Sequence, residues 1–323
     1  MKIRVLSDLH YDYNGRYMVK IPHGDEFTVF AGDVSGYTDL TIEKIRSIAD
    51  RGIVVAGNHI VYNDSHRTLG DIKDDLHAEF PDNGDISFLD VSTGTWHKIV
   101  DGILFIGSTM YTNYGLKTRN NPEGDVQRNL MAAEPRLSGG GMNDFVYGRI
   151  RGEFDVPRNV MPRDYLKMHM ETVSKFDAIL SQNEELWHLP VVVVTHHAPL
   201  KACLMYDKES EDNDNLRLID ASYASDMSAF IESHKSINAW IYGHTHHRKH
   251  FAFTRKDGSK CVLLNNSFGY RNHLEDSGFP KRCILDTDTW TVSHEDVMKK
   301  RTLDLKKLSK EDLEMIGFGM AWN

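Results

Sequence analysis

Five short apolar runs, each closed within a few residues by Asp, Asn or His, constrain the fold of this chain more than any other feature. Ile3–Leu6 stops at Ser7-Asp8, Thr28–Ala31 at Gly32-Asp33, and Ile53–Ala56 at Gly57-Asn58-His59. Further on, Val191–Val194 runs into Thr195-His196-His197, and Trp240–Tyr242 into Gly243-His244. Runs this short and β-branched fit strands buried on both faces. Amphipathic stripes lie between some of them. Ile42, Ile45, Ile48 and Ala49 form one; Leu166, Met170, Val173, Phe176 and Leu180 form a second, expected to pack on the core.

Two Asp-Gly pairs interrupt apolar segments. Asp101-Gly102 separates His97–Val100 from Ile103–Ile106, and Asp257-Gly258 separates Phe251–Thr254 from Cys261–Leu264. Asp-Gly supplies the positive φ angles of a two-residue type I′ turn, so both read as hairpins. Helix-flanked strands mixed with hairpins predict an α/β protein built as a layered sandwich. One domain is expected over residues 1–295, with 296–323 as a C-terminal tail of unassigned role. The weakest periodicity, at about residues 111–163, includes Ser138-Gly139-Gly140-Gly141 and reads as a long excursion on the substrate side.

The chain's 323 residues carry 47 acidic against 38 basic side chains, a formal net charge of −9, with no block of Lys and Arg. Displacing counterions from a long nucleic acid needs the opposite sign, so no such partner is expected. A small phosphate ester remains compatible, because local cations outweigh the global charge. No apolar run nears the ~20 residues of a bilayer span and no signal-type stretch opens the chain, so no membrane partner is expected. Cys203, Cys261 and Cys283 are odd in number and scattered; they read as reduced thiols, which predicts a cytoplasmic location. Glu209–Asn215 is acidic but lacks the glycine and closing glutamate of a calcium loop, and reads as solvated surface.

Singly, an Asp-x-His or a Gly-Asp is turn chemistry. Together, the five strand ends bring Asp8, His10, Asp33, Asn58, His196, His244 and His246 to the carboxyl edge of a sheet, where α/β proteins bind ligands. Four imidazoles, two carboxylates and one amide buried together without a partner would be strongly destabilising, so a metal is the natural guest. Nitrogen and oxygen donors suit manganese, iron, zinc or nickel better than calcium. Such a set exceeds one tetrahedral ion and matches two divalent ions about 3.5–4 Å apart sharing a bridge, with manganese favoured.

Asp8-Leu9-His10, Gly32-Asp33, Gly57-Asn58-His59, Thr195-His196-His197 and Gly243-His244-Thr245-His246 resemble, in order, the motifs of the calcineurin-like metallophosphoesterases, over about residues 1–270. The resemblance implies a β-sandwich flanked by helices, a dinuclear centre, and hydrolysis of phosphate esters by a hydroxide bridging the ions. Carried over by position, it gives Asp8, His10 and His246 to one ion, Asn58, His196 and His244 to the other, and Asp33 to both. It gives His59 a catalytic role, protonating the leaving oxygen or binding phosphate, which suits an imidazole titrating near neutrality. The family often sets Asp or Glu directly after this histidine to orient it. This chain has Ile60 there, so the orienting partner is expected elsewhere, with Asp64 the candidate. Gly107–Tyr111, Met142–Phe145 and Asn265–Tyr270 are similar to segments of a bacterial or phage subgroup of phosphohydrolases.

Strand alternation lets only one of His196 and His197 face the ions, and motif position selects His196. His66 and His247 read as surface imidazoles. The excursion holds Arg119, Arg128, Arg136, Arg149, Arg151, Arg158 and Arg163 against the single Lys117, and arginine's planar fork grips phosphate. Pairing with Glu123, Asp125, Glu134, Glu153 and Asp155 accounts for that bias equally well. Asn143, Asp144 and Arg149 stand as substrate-contact candidates, and Tyr111, Tyr114, Phe145 and Tyr147 as cover for the organic part of a substrate. The expected function is hydrolysis of a small phosphodiester or nucleotide. The alternatives are a phosphomonoesterase or protein phosphatase and, in another class, a non-catalytic metal-binding scaffold.

Overall fold

Strands β1 (Lys2–Leu6), β2 (Phe27–Ala31), β3 (Gly52–Val55) and β4 (Ile86–Phe88) run parallel side by side. β5 (His97–Val100) and β6 (Ile103–Ser108) form a hairpin, and β7 (Arg149–Arg151) pairs with β8 (Pro157–Asn159) in a separate ribbon. β9 (Val191–Thr195), β10 (Ile237–Ile241), β11 (Lys249–Thr254) and β12 (Lys260–Asn265) extend the sheet of β6, while β13 (Arg282–Asp286) and β14 (Thr291–Glu295) extend that of β1. The two six-stranded orders are β14-β13-β1-β2-β3-β4 and β11-β12-β10-β9-β6-β5. In each, the parallel strands sit together and the antiparallel ones lie at the margins. This computed structural model describes residues 1–13, 19–64, 66–138, 140–204, 217–270 and 279–295; the acidic stretch 209–215 and the tail 296–323 lie outside them.

Period-two alternation builds the layers. Val5, Val29 and Ile53 of one sheet and Phe105, Val192, Val194 and Ile241 of the other fill the space between the sheets. Their neighbours Leu6, Phe30 and Val54 join the cluster that packs with helices α1 (Thr38–Ile48) and α2 (Leu69–Glu79). Helices α3 (Val126–Ala133), α4 (Pro135–Ser138) and α5 (Asp144–Tyr147) follow β6, and α6 (Pro162–Gln182) and α7 (Ser228–Ser233) pack with the second sheet through Phe176, Ile179 and Ile231. Each such side chain, fully buried, stabilises by roughly 1.5–3 kcal/mol. The result is the expected layered α/β sandwich.

Local readings hold unevenly. Asp101 and Gly102 both take positive φ (49° and 77°), as a type I′ turn requires. The second hairpin differs: β11 ends at Thr254 and β12 begins at Lys260, so the connection runs from Arg255 to Ser259. There Gly258 (φ 85°) takes the left-handed conformation, and Arg255 N–H donates to the Ser259 carbonyl at 2.8 Å. The buried Arg255 guanidinium, bonded to the Ile231 (2.7 Å) and Ile237 (2.6 Å) carbonyls, holds the longer loop in place. On α6 the buried face is Tyr165, His169, Thr172, Phe176, Ile179 and Leu180, and Met170 is 63% exposed. His169 is drawn inward because its Nδ1–H donates to the Tyr111 carbonyl.

The excursion is part of the packing. Tyr111, Tyr114, Leu116, Leu130, Ala133, Phe145 and Val160 are buried within the two outer clusters. Cys203, Cys261 and Cys283 are buried and free. Among the described residues, no helix is long and apolar enough to cross a membrane.

One buried ion pair lies just behind the sheet edge. Lys73 Nζ donates to Asp90 Oδ2 at 2.8 Å, and the same oxygen accepts from Ser108 Oγ at 3.1 Å. Burial opposes the Asp90 charge, yet Lys73 and Ser92 hold its carboxyl below the ordinary value. Its contribution to stability is therefore present above the ordinary carboxylate range and lost as pH falls through its lowered folded value. Asp90→Asn leaves the Lys73 charge buried without its counter-ion, and is expected to cost about 3–5 kcal/mol in urea unfolding at neutral pH. A cost below about 1 kcal/mol would mean that Lys73 finds water instead.

Candidate metal centre

β1, β2 and β3 run parallel in one sheet and β9 and β10 in the other, and the residues just past their carboxyl ends converge. Backbone bonds join these turns: Asp8 N–H to the Gly32 carbonyl at 3.0 Å, His10 N–H to Asp33 at 3.1 Å, and Gly243 N–H to His196 at 2.9 Å. Asp8, His10, Asp33, His244 and His246 all take left-handed backbones (φ 52°, 45°, 52°, 65° and 54°). Such conformations cost energy for residues with a Cβ, and cluster where function needs a particular side-chain direction. Gly57 is required for a different reason: a Cβ there would lie 1.9 Å from Asp33 Oδ1.

The donor atoms meet in groups whose members all lie within 4.8 Å of one another: Asp8, His10 and His246; Asp33, His196 and His244; and His10, Asp33 and His59. In the first, His246 Nε2 is 3.3 Å from Asp8 Oδ1 and 3.1 Å from His10 Nε2. In the second, His196 Nε2 is 3.1 Å from Asp33 Oδ2 and 3.0 Å from Asn58 Oδ1. Asp33 Oδ2 is also 4.0 Å from His10 Nε2, so this carboxylate lies between the two groups.

These contacts fit cations. His196 Nδ1–H donates to the Ala31 carbonyl at 2.8 Å, which turns Nε2 toward two oxygens. Asp33 Oδ2 and His244 Nε2 are buried without a hydrogen-bond partner. An orphaned buried polar atom costs about 1–3 kcal/mol, which a bound ion would remove. Burial opposes charge on Asp8, but His246 holds its carboxyl at about 2; Asp33, equally buried, is held well below the ordinary value by His196 and His59. Burial lowers His10 to about 3 and His244 well below its ordinary value. Burial works against a charged His196 as well, yet Asp33 and Asp8 raise it to about 9. Ionised carboxylates and neutral imidazoles are the forms that donate to metals, and His196 marks where positive charge is favoured.

His59 opens a short turn after β3, and its N–H donates to Asp33 Oδ1 at 2.9 Å. Its ring stands edge-on to His10, with centroids 4.6 Å apart. Asp64 does not orient it: that carboxylate accepts from Thr38 Oγ1 at 2.7 Å. Instead Tyr62 stacks on His59 with centroids 4.0 Å apart, and the Tyr270 hydroxyl lies 2.5 Å from His59 Nε2. Asn58 Nδ2 donates to the Tyr62 hydroxyl at 3.4 Å, which turns Oδ1 toward His196. Tyr62 in turn donates to Asp144 Oδ2 at 3.0 Å, and Tyr165 to Oδ1 at 3.2 Å. Asp144 is 1% exposed, with a carboxyl raised by burial. It holds Tyr62 from behind, and is not a surface that substrate reaches.

A cavity of about 910 Å³ opens over the centre and includes Asn58, His59, His244 and His246 in its lining. Asn143 lines it; Asp144 and Arg149 do not. Arg151 pairs with Asp71 and lies 3.8 Å from the expected Asp155, and Arg158 pairs with Asp164 at 2.7 Å, an acid outside the expected set. Among the described residues, the arginines that line the cavity are Arg217 and Arg248, outside the excursion. His247, expected at the surface, also lines it. The aromatic cover is not realised: Tyr111, Tyr114 and Phe145 are buried in the core, and Tyr147 packs beside Tyr62 with centroids 5.5 Å apart. His197 packs on His244, with centroids 4.2 Å apart, outside the donor groups. Sequence reasoning missed Tyr62, Tyr223, which stacks on His244 (4.7 Å, 23°), and Ser267, whose hydroxyl donates to Asp8 Oδ2 at 2.7 Å. The segment Asn265–Tyr270 carried the one available signal.

A two-sheet α/β sandwich with carboxylates, imidazoles and an amide gathered at one strand edge defines a metal-dependent hydrolase. A family model described as calcineurin-like phosphoesterase matches residues 1–248, and the chain belongs to that family. It is a metal-dependent hydrolase acting on phosphate esters, from a family with dinuclear centres. An uncharacterized protein of Acanthamoeba polyphaga mimivirus is 25% identical over 321 residues, covering 90% of this chain and 99% of the relative. The crystal structure of phosphopantetheinyl hydrolase from Mycobacterium tuberculosis shares the fold, with a TM-score of 0.54 and 18% identity over 83% of this chain and 89% of that one.

Proposed function

We propose that this chain hydrolyses a small phosphodiester or nucleotide. In this reading Asp8, His10 and His246 hold one divalent ion, Asn58, His196 and His244 hold the other, and Asp33 serves both, with manganese as the metal. The observation that carries the substrate class is the size of the cavity over these residues, about 910 Å³. That is near the upper end of the ~300–1,000 Å³ of ligand pockets, and more than a phosphate with one small organic group fills. Its lining mixes Met142, Leu204, Tyr223 and Phe268 with Asn143, Arg217 and Arg248, which suits organic groups on both ester oxygens.

The ions, when bound, would supply a nucleophile ionised at neutral pH and compensate charge on the phosphoryl oxygens. The chain's residues do the rest. Water adds across the ester bond: its hydroxyl goes to phosphorus, and a proton goes to the departing oxygen through His59 as the P–O bond breaks. Tyr62 aims Asn58, and Ser267 and the His244 N–H, 3.0 Å from Oδ1, steady Asp8. Residues 1–295 would act as one catalytic unit. Its three buried free thiols suit the reducing cytoplasm.

With manganese, bis-p-nitrophenyl phosphate is expected to be cleaved with a kcat/KM at least about 10-fold above that of p-nitrophenyl phosphate, the scale of discrimination a shaped pocket supplies. Asn143→Ala should raise KM for the diester more than for the monoester. A clear monoester preference in the wild type would overturn the diester reading, in favour of a phosphomonoesterase.

A further inference from the structure

The geometry points to Tyr270 as the positioning residue of His59: its phenol holds the imidazole against Tyr62 in the pose from which the departing oxygen is protonated. The inference rests on the reading of His59 as that proton donor. Its basis is where the chain puts Tyr270. The segment after β12 pairs with the end of β1: Ser7 N–H donates to the Asn266 carbonyl at 3.1 Å, Phe268 N–H to Ser7 at 3.0 Å, and Gly269 N–H to Asp8 at 2.9 Å. Gly269 takes φ 78°, where a Cβ would press on the His246 Cβ at 3.2 Å. This left-handed step directs Tyr270 over the centre, with its ring 4.6 Å from that of His10 and 4.5 Å from that of His246.

The result is a clamp on two sides. Tyr62 covers one face of the His59 ring (4.0 Å, 30°), and the Tyr270 hydroxyl meets Nε2 at 2.5 Å. Neither contact depends on a carboxylate next in sequence, and Ile60, which follows His59, is buried in the core instead. A phenol also differs from a carboxylate in kind. Engaged at Nε2, it leaves Nδ1 to hand its proton to the departing oxygen and accepts from Nε2–H before and after that transfer. A ring free to swing by 1 Å would lose much of the advantage of proximity.

Tyr270→Phe keeps the ring and removes the hydroxyl. In wild type and variant, two measurements decide. In the first, kcat is compared on diphenyl phosphate, whose phenolate leaving group needs a proton, and on bis-p-nitrophenyl phosphate, whose leaving group hardly does. The variant is expected to lose about 10–100-fold on the first and little on the second, with no further loss when the change is added to His59→Asn. Losses that are equal on both esters, or that multiply with His59→Asn, would overturn the inference, because Tyr270 would then touch substrate. A fall in metal content would overturn it too.

The second measurement reads the ring nitrogens of ¹⁵N-histidine-labelled, zinc-loaded protein by NMR, with His59 assigned through His59→Asn. Tyr270→Phe is expected to shift the His59 signals and leave the other histidines nearly unmoved; unmoved His59 signals would overturn the inference. If the wild type cleaved neither ester, the proposed function would fail, while the NMR comparison would still decide the Tyr270 contact.

Discussion

Asp33→Asn is expected to lower the metal content from two ions per chain to one or none, and to cut kcat/KM by more than the ~10–100-fold typical of losing an outer partner of a metal site. The geometry singles out this residue. Its Oδ2 is 3.1 Å from His196 Nε2 in one donor group and 4.0 Å from His10 Nε2 in another, and it has no hydrogen-bond partner. Its Oδ1 meanwhile accepts the His59 N–H at 2.9 Å. Asparagine is nearly isosteric and can still accept that bond, so the turn should stay folded. What disappears is the negative charge common to both groups. Elemental analysis after equilibration at limiting manganese, run beside steady-state kinetics, reads both effects. A variant that kept two ions and full turnover would remove Asp33 from the bridge. His244→Ala provides the contrast, because its loss should fall on the second ion alone.

The strand-end residues were legible because one physical rule governs them all. An apolar run buried on both faces can end in Asp, Asn or His only where those groups find partners, and parallel strands end together. Asp8, Asp33, Asn58, His196 and His244 needed no knowledge of register to be gathered. The excursion was illegible for the opposite reason. Its aromatic residues obey no period, so nothing in the sequence told Tyr111, buried under Tyr165 at a centroid distance of 3.6 Å, from a residue facing substrate. Asp144 had the same ambiguity: a carboxylate beside a pocket and one buried behind it look alike until Tyr62 and Tyr165 are seen bonded to it. Arg217 and Arg248 reach the cavity from distant stretches of chain, and only the fold brings them there. Tyr270 depends on a single left-handed glycine and a bridge between Ser7 and Ser267, a contact across nearly the whole chain. Met170 failed more simply. Two overlapping stripes fit α6, and the bond from His169 to the Tyr111 carbonyl chose between them.

His59→Asn is expected to reduce turnover of diphenyl phosphate by about 10²–10⁴-fold, the range that general acid catalysis supplies. Phenolate leaves poorly without a proton, whereas p-nitrophenolate is stable enough to depart as the anion. On bis-p-nitrophenyl phosphate the loss should therefore shrink to a small factor. Asparagine keeps the N–H that donates to Asp33 Oδ1, since that bond is made by the backbone, so the turn and Asn58 should hold their places. Metal content is the decisive control. His59 lies in a donor group with His10 and Asp33, so the ion count separates a ligand from a proton donor. Its ring, however, is held by Tyr62 on its face and the Tyr270 hydroxyl at Nε2, contacts that suit a group presented to substrate. Two ions retained, with a loss that follows the leaving group, identify a proton donor. Equal losses on both esters with two ions retained would mean that His59 binds the phosphoryl oxygens. A missing ion would make it a ligand, and would shift the search for the acid to another group lining the cavity, with His247 first.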